Sequence, residues 1–576
     1  MKNTLFISIS IMLFISASRC SDTSFGNDLW DNVTSSKITS DKQITSFSIN
    51  GYKARINGTT IKSVLPIGTS ATSLAPVITH NGAAISPESE TAQDFSNPVT
   101  YTVTATDGTT EQYTVSVTVL DAAGMKNANL SVLRVKKGKL QPALNDSIKD
   151  YLDAPIPFSD SANPAYNDKQ SNSLIADPEI LIATMKMELE SNGKVSVENA
   201  TEHVFPEIEV GPNKVTIIVT AADKTTTKKY TVNMYRAIPI FKTGAGEISG
   251  YDLNPLEDGA TQRGVSWPEK RFSIQSSTIT ANGEKKEESV VIDNMTGLVW
   301  LNQTTQSSTD LSSAYSYQDA VSNAYGIPKF ALSPYEWRLP NIREIRSLAN
   351  YCKDGNNYLN GVFKNYGNNY VYWSSTTYMG STNKAFPFEI MNNRSILSNV
   401  DEDKYLFVVR GNSRVLPATG QKQTDPYILG DDGNLQKGVV WPDPRFYKYN
   451  DDANSPIVDN MTSLMWYPSS FFVPAESENF WNSSLTTVDT KNQYGFSDWF
   501  IPNVNEIETL TNYSSDSLDW LNSYINLIST PLWTSTSFSE VEAYALNYNA
   551  QFISYGYKDF LSYYVLPVRQ AKIINY

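Results

Sequence analysis

Apolar and polar residues alternate along two pairs of short segments in the first half of the chain. Residues 99–106 and 113–119 form the first pair, and Asp107-Gly108 opens the connection between them. Alternation with period two places the apolar side chains of a strand on one face, and Asp-Gly is a strong hairpin signal. The pattern returns at 215–222 and 230–234. The sequence therefore predicts two copies of one β-hairpin.

Short β-rich runs separated by turn residues precede each hairpin, as is typical of a β-sandwich. We predict one sandwich over 44–121 and a second over 125–236. Both are similar to the immunoglobulin-like and cadherin-like β-sandwich repeats of bacterial surface proteins, through their Thr/Val-rich hairpins and the run 130–135. The resemblance implies spacers that hold something away from a membrane.

The second half of the chain contains another internal duplication. Five blocks occur twice in the same order: 264–272 and 438–446, 292–300 and 458–466, 337–348 and 499–510, 372–376 and 532–536, and 409–410 and 568–569. The offset shrinks along the way, as small deletions between fixed blocks would produce. We predict two related domains, over 250–415 and 425–575, of which the second is degenerate.

One block in each copy predicts a short helix after a proline. Asn341 with Glu344, and Asn503 with Glu506, have the spacing of a capping box. Eight of the eleven tryptophans also lie in the repeated blocks. Large rings kept at equivalent positions favour core packing over ligand platforms.

The N-terminus has the pattern of an export signal. Lys2 precedes an apolar run at 5–15 that is too short to span a bilayer. Small residues, Arg19 and Cys20 follow, and this resembles a bacterial lipoprotein signal with Cys20 as the site of lipid attachment. Arg19 departs from that pattern, and cleavage after Ser18 is the alternative. We predict a signal peptide over 1–19, a flexible tether over 20–43, and a lipid-anchored protein at the outer membrane or cell surface.

The composition of the chain limits the kinds of ligand and active site that it can have. The formal charge of −14 argues against a nucleic-acid partner, which needs a cationic surface. Both histidines, His80 and His203, lie in the first half without ligand-like neighbours, and the cysteines are Cys20 and Cys352. A His-based triad, a His/Cys zinc site and a redox cysteine pair are therefore excluded from the second half. We expect no metal, no other cofactor and no enzymatic activity.

The duplicated blocks carry a family resemblance. Asp-Asn-Met-Thr-Gly, Trp-Arg-Leu-Pro, Trp-Ser-Ser-Thr and a final Val-Arg resemble, in that order, the Lcl C-terminal domain, which ends a collagen-like bacterial adhesin. The resemblance implies a C-type-lectin-like fold. The expected fold class is therefore multidomain, with two all-β immunoglobulin-like sandwiches followed by two α+β C-type-lectin-like domains. Phe500 replaces the arginine of Trp-Arg-Leu-Pro in the second copy, which departs from the family pattern.

The resemblance also implies a basic ligand site, since the family's adhesin is associated with sulfated glycosaminoglycans. Residues 250–415 carry sixteen Lys and Arg against seventeen Asp and Glu, whereas 416–576 carry eight against eighteen. A basic site is thus expected on the first copy only. The candidate ligand-binding residues surround its helix: Arg338, Arg343, Arg346 and Lys353. Helix-face salt bridges with Glu336 and Glu344 are the alternative interpretation.

Three functional hypotheses follow. The first is a surface protein whose tandem domains bind an extracellular glycan or a host or matrix protein. The second is an architectural envelope protein that acts through self-association. The third is a carboxylate-dependent glycan hydrolase. Its visible acidic clusters, Asp401-Glu402-Asp403 and Asp431-Asp432, lie in polar stretches where we expect solvated charge.

Overall fold

The computed structural model describes 39–136, 150–152, 170–189, 196–198, 202–246, 253–281, 284–302, 315–325, 337–352, 359, 361–364, 370–422, 429–452, 454–473, 480–559 and 563–571. The predicted signal peptide, Cys20, most of the predicted tether and Lys353 lie outside these residues. The chain divides into two compact units, one ending at Val119 and the other beginning at Leu120. Within the described residues, no helix combines the length and the apolar character needed to cross a membrane.

The first unit is a β-sandwich. Its strands are β1 (Ile44–Ile49), β2 (Tyr52–Lys53), β3 (Arg55–Asn57), β4 (Thr60–Leu65), β5 (Val77–His80), β6 (Ala84–Ser86), β7 (Val99–Thr104) and β8 (Thr110–Val119). They form a five-stranded sheet in the order β3-β4-β8-β7-β6 and a three-stranded sheet in the order β2-β1-β5. The core contains side chains of both sheets, and the rings of Phe47 and Tyr101 meet edge to face, 5.7 Å apart.

The first predicted hairpin is present. Strands β7 and β8 pair antiparallel, with Tyr101 opposite Tyr113. Alternate side chains are buried, as the period-two pattern predicted. Gly108 lies in the connection with φ +81°, a conformation that favours glycine. Asp107 closes the turn by accepting a hydrogen bond of 2.9 Å from the N–H of Thr109.

A second β-sandwich opens the other unit. Its elements are α1 (Ala122–Met125), β9 (Leu130–Val135), β10 (Asp150–Leu152), β11 (Gln170–Pro178), β12 (Thr184–Leu189), β13 (Ser196–Glu198), β14 (Glu202–Ile208), β15 (Gly211–Thr220) and β16 (Thr227–Arg236). The sheets have the orders β10-β16-β15-β12-β13 and β14-β11-β9. The second predicted hairpin is β15 and β16, with Val215 opposite Val232.

The second sandwich packs directly on the second of the duplicated domains. Tyr235 and Ile238 form one apolar cluster with Val439 and Met461. The Tyr235 hydroxyl donates to the Val440 carbonyl over 3.0 Å, and the Ile238 N–H donates to the Met461 carbonyl over 2.9 Å. This sandwich is therefore fixed to the domain that it contacts.

The two duplicated domains, called copy one and copy two below, share one arrangement of helices and strands. Copy one has α2 (Asp258–Thr261), β17 (Phe272–Ala281), β18 (Glu284–Asp293), β19 (Val299–Asn302), α3 (Tyr317–Tyr325), α4 (Ile342–Arg346), β20 (Val371–Thr377), β21 (Lys384–Glu389), β22 (Arg394–Ser395), β23 (Ser398–Asn399), β24 (Tyr405–Leu406) and β25 (Val409–Arg410). Its sheets are β17-β18-β19-β25 and β22-β21-β20-β24, with β23 paired to β21.

Copy two repeats this plan. Its elements are α5 (Asp432–Leu435), β26 (Phe446–Lys448), β27 (Ile457–Asp459), β28 (Leu464–Trp466), β29 (Phe471–Phe472), α6 (Phe480–Asp489), α7 (Val504–Glu508), a 3-10 helix (Leu518–Ser523), β30 (Leu532–Ser537), β31 (Glu542–Leu546), β32 (Ile553–Tyr557), β33 (Tyr564–Val565) and β34 (Val568–Gln570). Its sheets are β26-β27-β28-β34 and β29-β33-β30-β31-β32. The fold is therefore multidomain and mostly β, as expected.

The two copies share a hydrophobic core. One cluster of buried side chains contains Trp300 of copy one together with Trp466 and Trp533 of copy two. Six of the eight tryptophans in the repeated blocks are almost wholly buried: Trp300, Trp337, Trp373, Trp466, Trp499 and Trp533. They pack the interior, as the packing interpretation predicted. The copies are two halves of one folded unit.

Candidate functional site

Helices α4 and α7 place the polar side chains at the junction of the copies. Asn341 accepts a hydrogen bond from the Glu344 N–H (2.9 Å), and the Glu344 carboxylate accepts one from the Asn341 N–H (2.8 Å). Asn503 and Glu506 repeat the arrangement in copy two, at 2.9 and 2.7 Å. Both predicted capping boxes are confirmed. Each box fixes where its helix begins and so which residues reach the other copy.

The two helices meet through opposite charges. Arg343 Nη2 donates to the carbonyl and the hydroxyl of Thr511, over 2.8 and 3.0 Å. Arg343 Nε and Arg346 Nη1 lie 3.6 and 3.5 Å from the same oxygen of Glu508. Arg346 and Glu508 occupy equivalent positions in the repeated block. The pairing of equivalent positions shows that the copies face each other reciprocally.

The first helix of each copy is bonded to the other copy. Thr536 of copy two donates its hydroxyl to Asp258 of α2 over 2.8 Å, and Thr376 of copy one donates to Asp432 of α5 over 2.7 Å. Burial raises the pKa of both aspartates to about 6, against the two hydrogen bonds that each accepts. Each copy therefore supplies a threonine that binds a buried aspartate of the other copy, and these two bonds join the copies.

One acidic cluster differs from its prediction. Asp431 and Asp432 were expected to be solvated, but both are buried. Asp431 caps α5 by accepting a 2.9 Å hydrogen bond from the Asn434 N–H, and Asp432 binds the threonine of the other copy. The expectation was wrong because it took a polar stretch for a surface loop. Residues 401–403 are exposed, as expected.

Arg338 forms the predicted salt bridge with Glu344. Both terminal nitrogens lie 2.6 Å from the carboxylate oxygens, and the pair is buried. In copy two, Phe500 takes the place of this arginine, and the guanidinium of Arg263 lies 3.9 Å from the centre of its ring. Burial raises the pKa of Glu506, the counterpart of Glu344, to about 8. The buried carboxyl of copy two therefore lacks the arginine partner that its counterpart has in copy one.

The three predicted arginines do not form a basic surface. Arg338, Arg343 and Arg346 are only 3%, 3% and 7% exposed. The sequence suggested a solvent-facing patch, but carboxylates and carbonyl groups hold these guanidinium groups inside the protein. Arg343 and Arg346 are brought together at the junction, whereas Arg338 is paired within copy one. Lys353 lies outside the described residues, so its role stays a prediction.

A crevice of about 80 Å³ lies at this junction. A water molecule needs roughly 10–15 Å³ by the same kind of measure, so the crevice has room for several. Apolar side chains line most of it, and Arg343, Arg346 and Glu508 supply its charges together with Lys242. Among the described residues, Nε and Nη1 of Arg343 and Nη1 of Arg346 have no hydrogen-bond acceptor. The crevice therefore presents unused donors beside an apolar wall.

Glu508 and Thr511 were missed by the reasoning from sequence. The aligned blocks did contain a signal, because Arg346 is replaced by an acid at the equivalent position of copy two. A charge reversal between duplicated helices is a pattern expected of helices that face each other. Within the part of the chain that the structure describes, no three His, Cys, Asp or Glu side chains are grouped to hold a metal ion.

A multidomain β-protein with a duplicated, internally paired C-terminal half is thus the class that the fold defines. Three family models match this chain. The Lcl C-terminal domain matches 289–410 and 455–569, a cadherin-like β-sandwich domain matches 163–237, and the SGBP N-terminal domain matches 44–117. The tandem Lcl C-terminal domain and the cadherin-like repeat predicted from the sequence are confirmed. The SGBP match was not foreseen.

Comparison with curated proteins gave no match. Among solved structures, a candidate secreted protein of Bacteroides fragilis is 18% identical over 14% of this chain and 98% of its own, with a TM-score of 0.12. A candidate glycoside hydrolase of Bacteroides thetaiotaomicron is 15% identical over 39% and 87%, with a TM-score of 0.15. SGBP-B of the Bacteroides ovatus mixed-linkage glucan utilization locus, solved with a heptasaccharide, is 11% identical over 35% and 75%, with a TM-score of 0.08.

Proposed function

We propose that this protein is exported to the bacterial surface and binds an extracellular glycan through the unit formed by the two Lcl copies. The match of 44–117 to the N-terminal domain of SGBPs, which are surface glycan-binding proteins, supports the location and the ligand class. The Lcl match supports a role in binding, since the resemblance is to an adhesin. The observation that carries the proposal is the crevice at the junction of the copies.

The crevice has the properties of a small-ligand site. Such sites combine apolar walls with a few fixed polar groups that orient the ligand. Arg343 is fixed by its two bonds to Thr511, yet Nε and Nη1 stay free of acceptors among the described residues. Both copies contribute to the lining, so binding at this site requires the paired unit.

Further parts of the proposal concern the rest of the molecule. The copies are proposed to be C-type-lectin-like α+β domains, and the sandwiches to hold them away from the membrane. A host or matrix protein is the alternative ligand, and self-association is the alternative role. We propose binding without catalysis, because Asp431 and Asp432 are engaged in a helix cap and a cross-copy bond and neither lines the crevice.

A blocked crevice is expected to abolish glycan binding. Leu416 lines the crevice and is partly exposed, so the larger ring of Leu416→Trp is expected to fill the space. The full chain should give saturable binding on an array of glycans and matrix proteins. The Leu416→Trp variant should lose at least about tenfold in affinity, or about 1.4 kcal/mol.

Val440→Trp is the matched control, because Val440 is 64% exposed and does not line the crevice. Equal loss in both variants would contradict the crevice as the site. Binding to matrix proteins alone, or no binding at all, would overturn the proposed glycan ligand.

The lipid anchor at Cys20 is a separate part of the proposal. In the native host, metabolic labelling with a fatty-acid analogue is expected to mark the protein, and Cys20→Ala should release it from the membrane. The reason is that stable anchoring of this kind depends on the acyl chains and not on a spanning helix. Equal membrane retention of the Cys20→Ala variant would show that the ordinary signal peptidase removes the leader.

A further inference from the structure

Two buried arginines in the crevice share one carboxylate at long distance. Glu508 Oε1 lies 3.6 Å from Arg343 Nε and 3.5 Å from Arg346 Nη1. Charge-assisted hydrogen bonds between such groups are about 2.7–2.9 Å long. The internal carboxylate therefore neutralises part of the charge without satisfying the donors of either guanidinium.

Glu508 is held back by other donors of its own copy. The Tyr513 hydroxyl donates to its Oε1 over 3.3 Å. The Thr511 hydroxyl donates to the Glu508 backbone carbonyl over 2.8 Å and lies 3.3 Å from the same Oε1. These contacts keep the carboxylate on the copy-two side of the junction. Donors of the two arginines on the copy-one side are therefore left without an acceptor. Three guanidinium nitrogens have no acceptor there among the described residues: Arg343 Nε, Arg343 Nη1 and Arg346 Nη1.

The positive charge is costly in this position. Both guanidinium groups are more than nine-tenths buried. Burial lowers the pKa of Arg343 from its ordinary value, whereas the pKa of Arg346 is raised, because Tyr351 and Glu508 beside it outweigh the effect of burial. A buried cation is destabilising unless an anion pairs with it. The two arginines and Lys242 outnumber the single glutamate that lines the crevice. An added anion would therefore reduce the electrostatic cost of the junction.

We propose that the crevice binds a carboxylate group of the ligand, between Arg343 and Arg346. The planar fork of a guanidinium matches the two oxygens of a carboxylate, and Glu508 already presents the same group to the same nitrogens. The apolar wall, which includes Phe241, Met295 and Leu416, contacts the body of the ligand. This inference deepens the proposed function and rests on it only for the source of the carboxylate, which is a uronic acid of a glycan.

The test titrates sodium glucuronate into the full chain by calorimetry, at constant ionic strength. Saturable binding is expected, with none for glucose, which lacks the carboxylate. Acetate carries the group without the ring and should bind more weakly, because it leaves the apolar wall uncovered. Binding of glucose equal to that of glucuronate, or tighter binding of sulfate, would overturn the assignment.

Two variants are expected to change the affinity for glucuronate in opposite directions. Arg343→Gln removes the guanidinium nitrogens that are proposed to donate to the carboxylate, so it should abolish glucuronate binding. Glu508→Gln removes the competing carboxylate and should tighten binding about tenfold. The second variant keeps the test decisive even if Arg343→Gln fails to fold, because it predicts a gain. Unchanged or weaker binding by Glu508→Gln would overturn the proposal.

Arg394→Gln is the matched control. Arg394 pairs with Glu389 over 2.5 Å, is partly exposed and does not line the crevice, so its loss should leave binding unchanged. The array separates this inference from the proposed function. Glycan binding without a glucuronate response overturns the inference alone, whereas a glucuronate response without any glycan binding overturns the proposed function alone.

Discussion

Produced as separate fragments, 120–424 and 425–576 are expected to lose cooperative folding, whereas the intact chain keeps it. The cut removes the cross-copy partners of four side chains that are buried in the intact chain: Arg343, Arg346, Asp258 and Asp432. A hydrogen bond to a charged group contributes about 1.5–3 kcal/mol net, so the lost bonds are a large fraction of the about 5–15 kcal/mol by which a typical domain is stable. The shared apolar core would also be opened.

Circular dichroism and urea unfolding of the fragments, alone and mixed, check this expectation. Co-expression should restore a one-to-one complex with a single transition. The control is the intact chain, folded first and then cut between 424 and 425. It has the same broken peptide bond but starts from the assembled unit, so it should stay folded. Two fragments that each unfold cooperatively near the midpoint of the intact chain would show that the copies are independent domains.

Glu344→Gln is expected to destabilise the protein by about 3–5 kcal/mol at pH 7, because it leaves the buried Arg338 without its counter-charge. Glu506→Gln, the same change at the equivalent position, should cost less than about 1 kcal/mol. Phe500 leaves Glu506 without an arginine at that position, and burial raises the pKa of Glu506 to about 8. The side chain is therefore mainly uncharged at pH 7, and glutamine can accept the hydrogen bond of the Asn503 N–H in its place.

The pH dependence of stability gives a second measure of the difference between Glu344→Gln and Glu506→Gln. A carboxyl whose pKa is raised by folding binds more protons in the native state, so its stabilising contribution falls as pH rises between the unfolded and folded pKa values. For Glu506 this window runs from its ordinary value of 4.5 to about 8. Relative to the parent, Glu506→Gln should gain stability across that window, with a slope of up to about 1.4 kcal/mol per pH unit. Denaturant unfolding at pH 5 and pH 8 measures it. Equal losses for the two variants at both pH values would refute the assigned charge states.

The elements set by neighbouring residues could be predicted. The hairpins at β7–β8 and β15–β16 followed from period-two alternation, because a strand with one buried face needs an apolar residue at every second position. Asn341 and Asn503 marked the starts of α4 and α7, because a capping box is completed within four residues. The five repeated blocks predicted two related domains, and the two domains share one arrangement of helices and strands.

The burial of the charged residues could not be predicted in the same way. Arg343, Arg346 and Asp432 are charged residues for which the sequence favours solvent exposure, and the other copy supplies partners that hold them inside the protein. Their environment is a property of the junction. The crevice likewise consists of segments that are far apart in the chain, including 238–242 and 505–509.

The sequence by itself therefore determined the two hairpins, the helix starts, the tandem repeat and the family that it resembles. Each of these follows from a pattern of residues that are close together in the chain. Only the tertiary structure decided that the copies share a core, exchange contacts through Asp258 and Asp432, and enclose Arg343 and Arg346. The physical reason is that a charge remains stable inside a protein only when a partner reaches it. Which partner does so depends on how the two copies pack against each other.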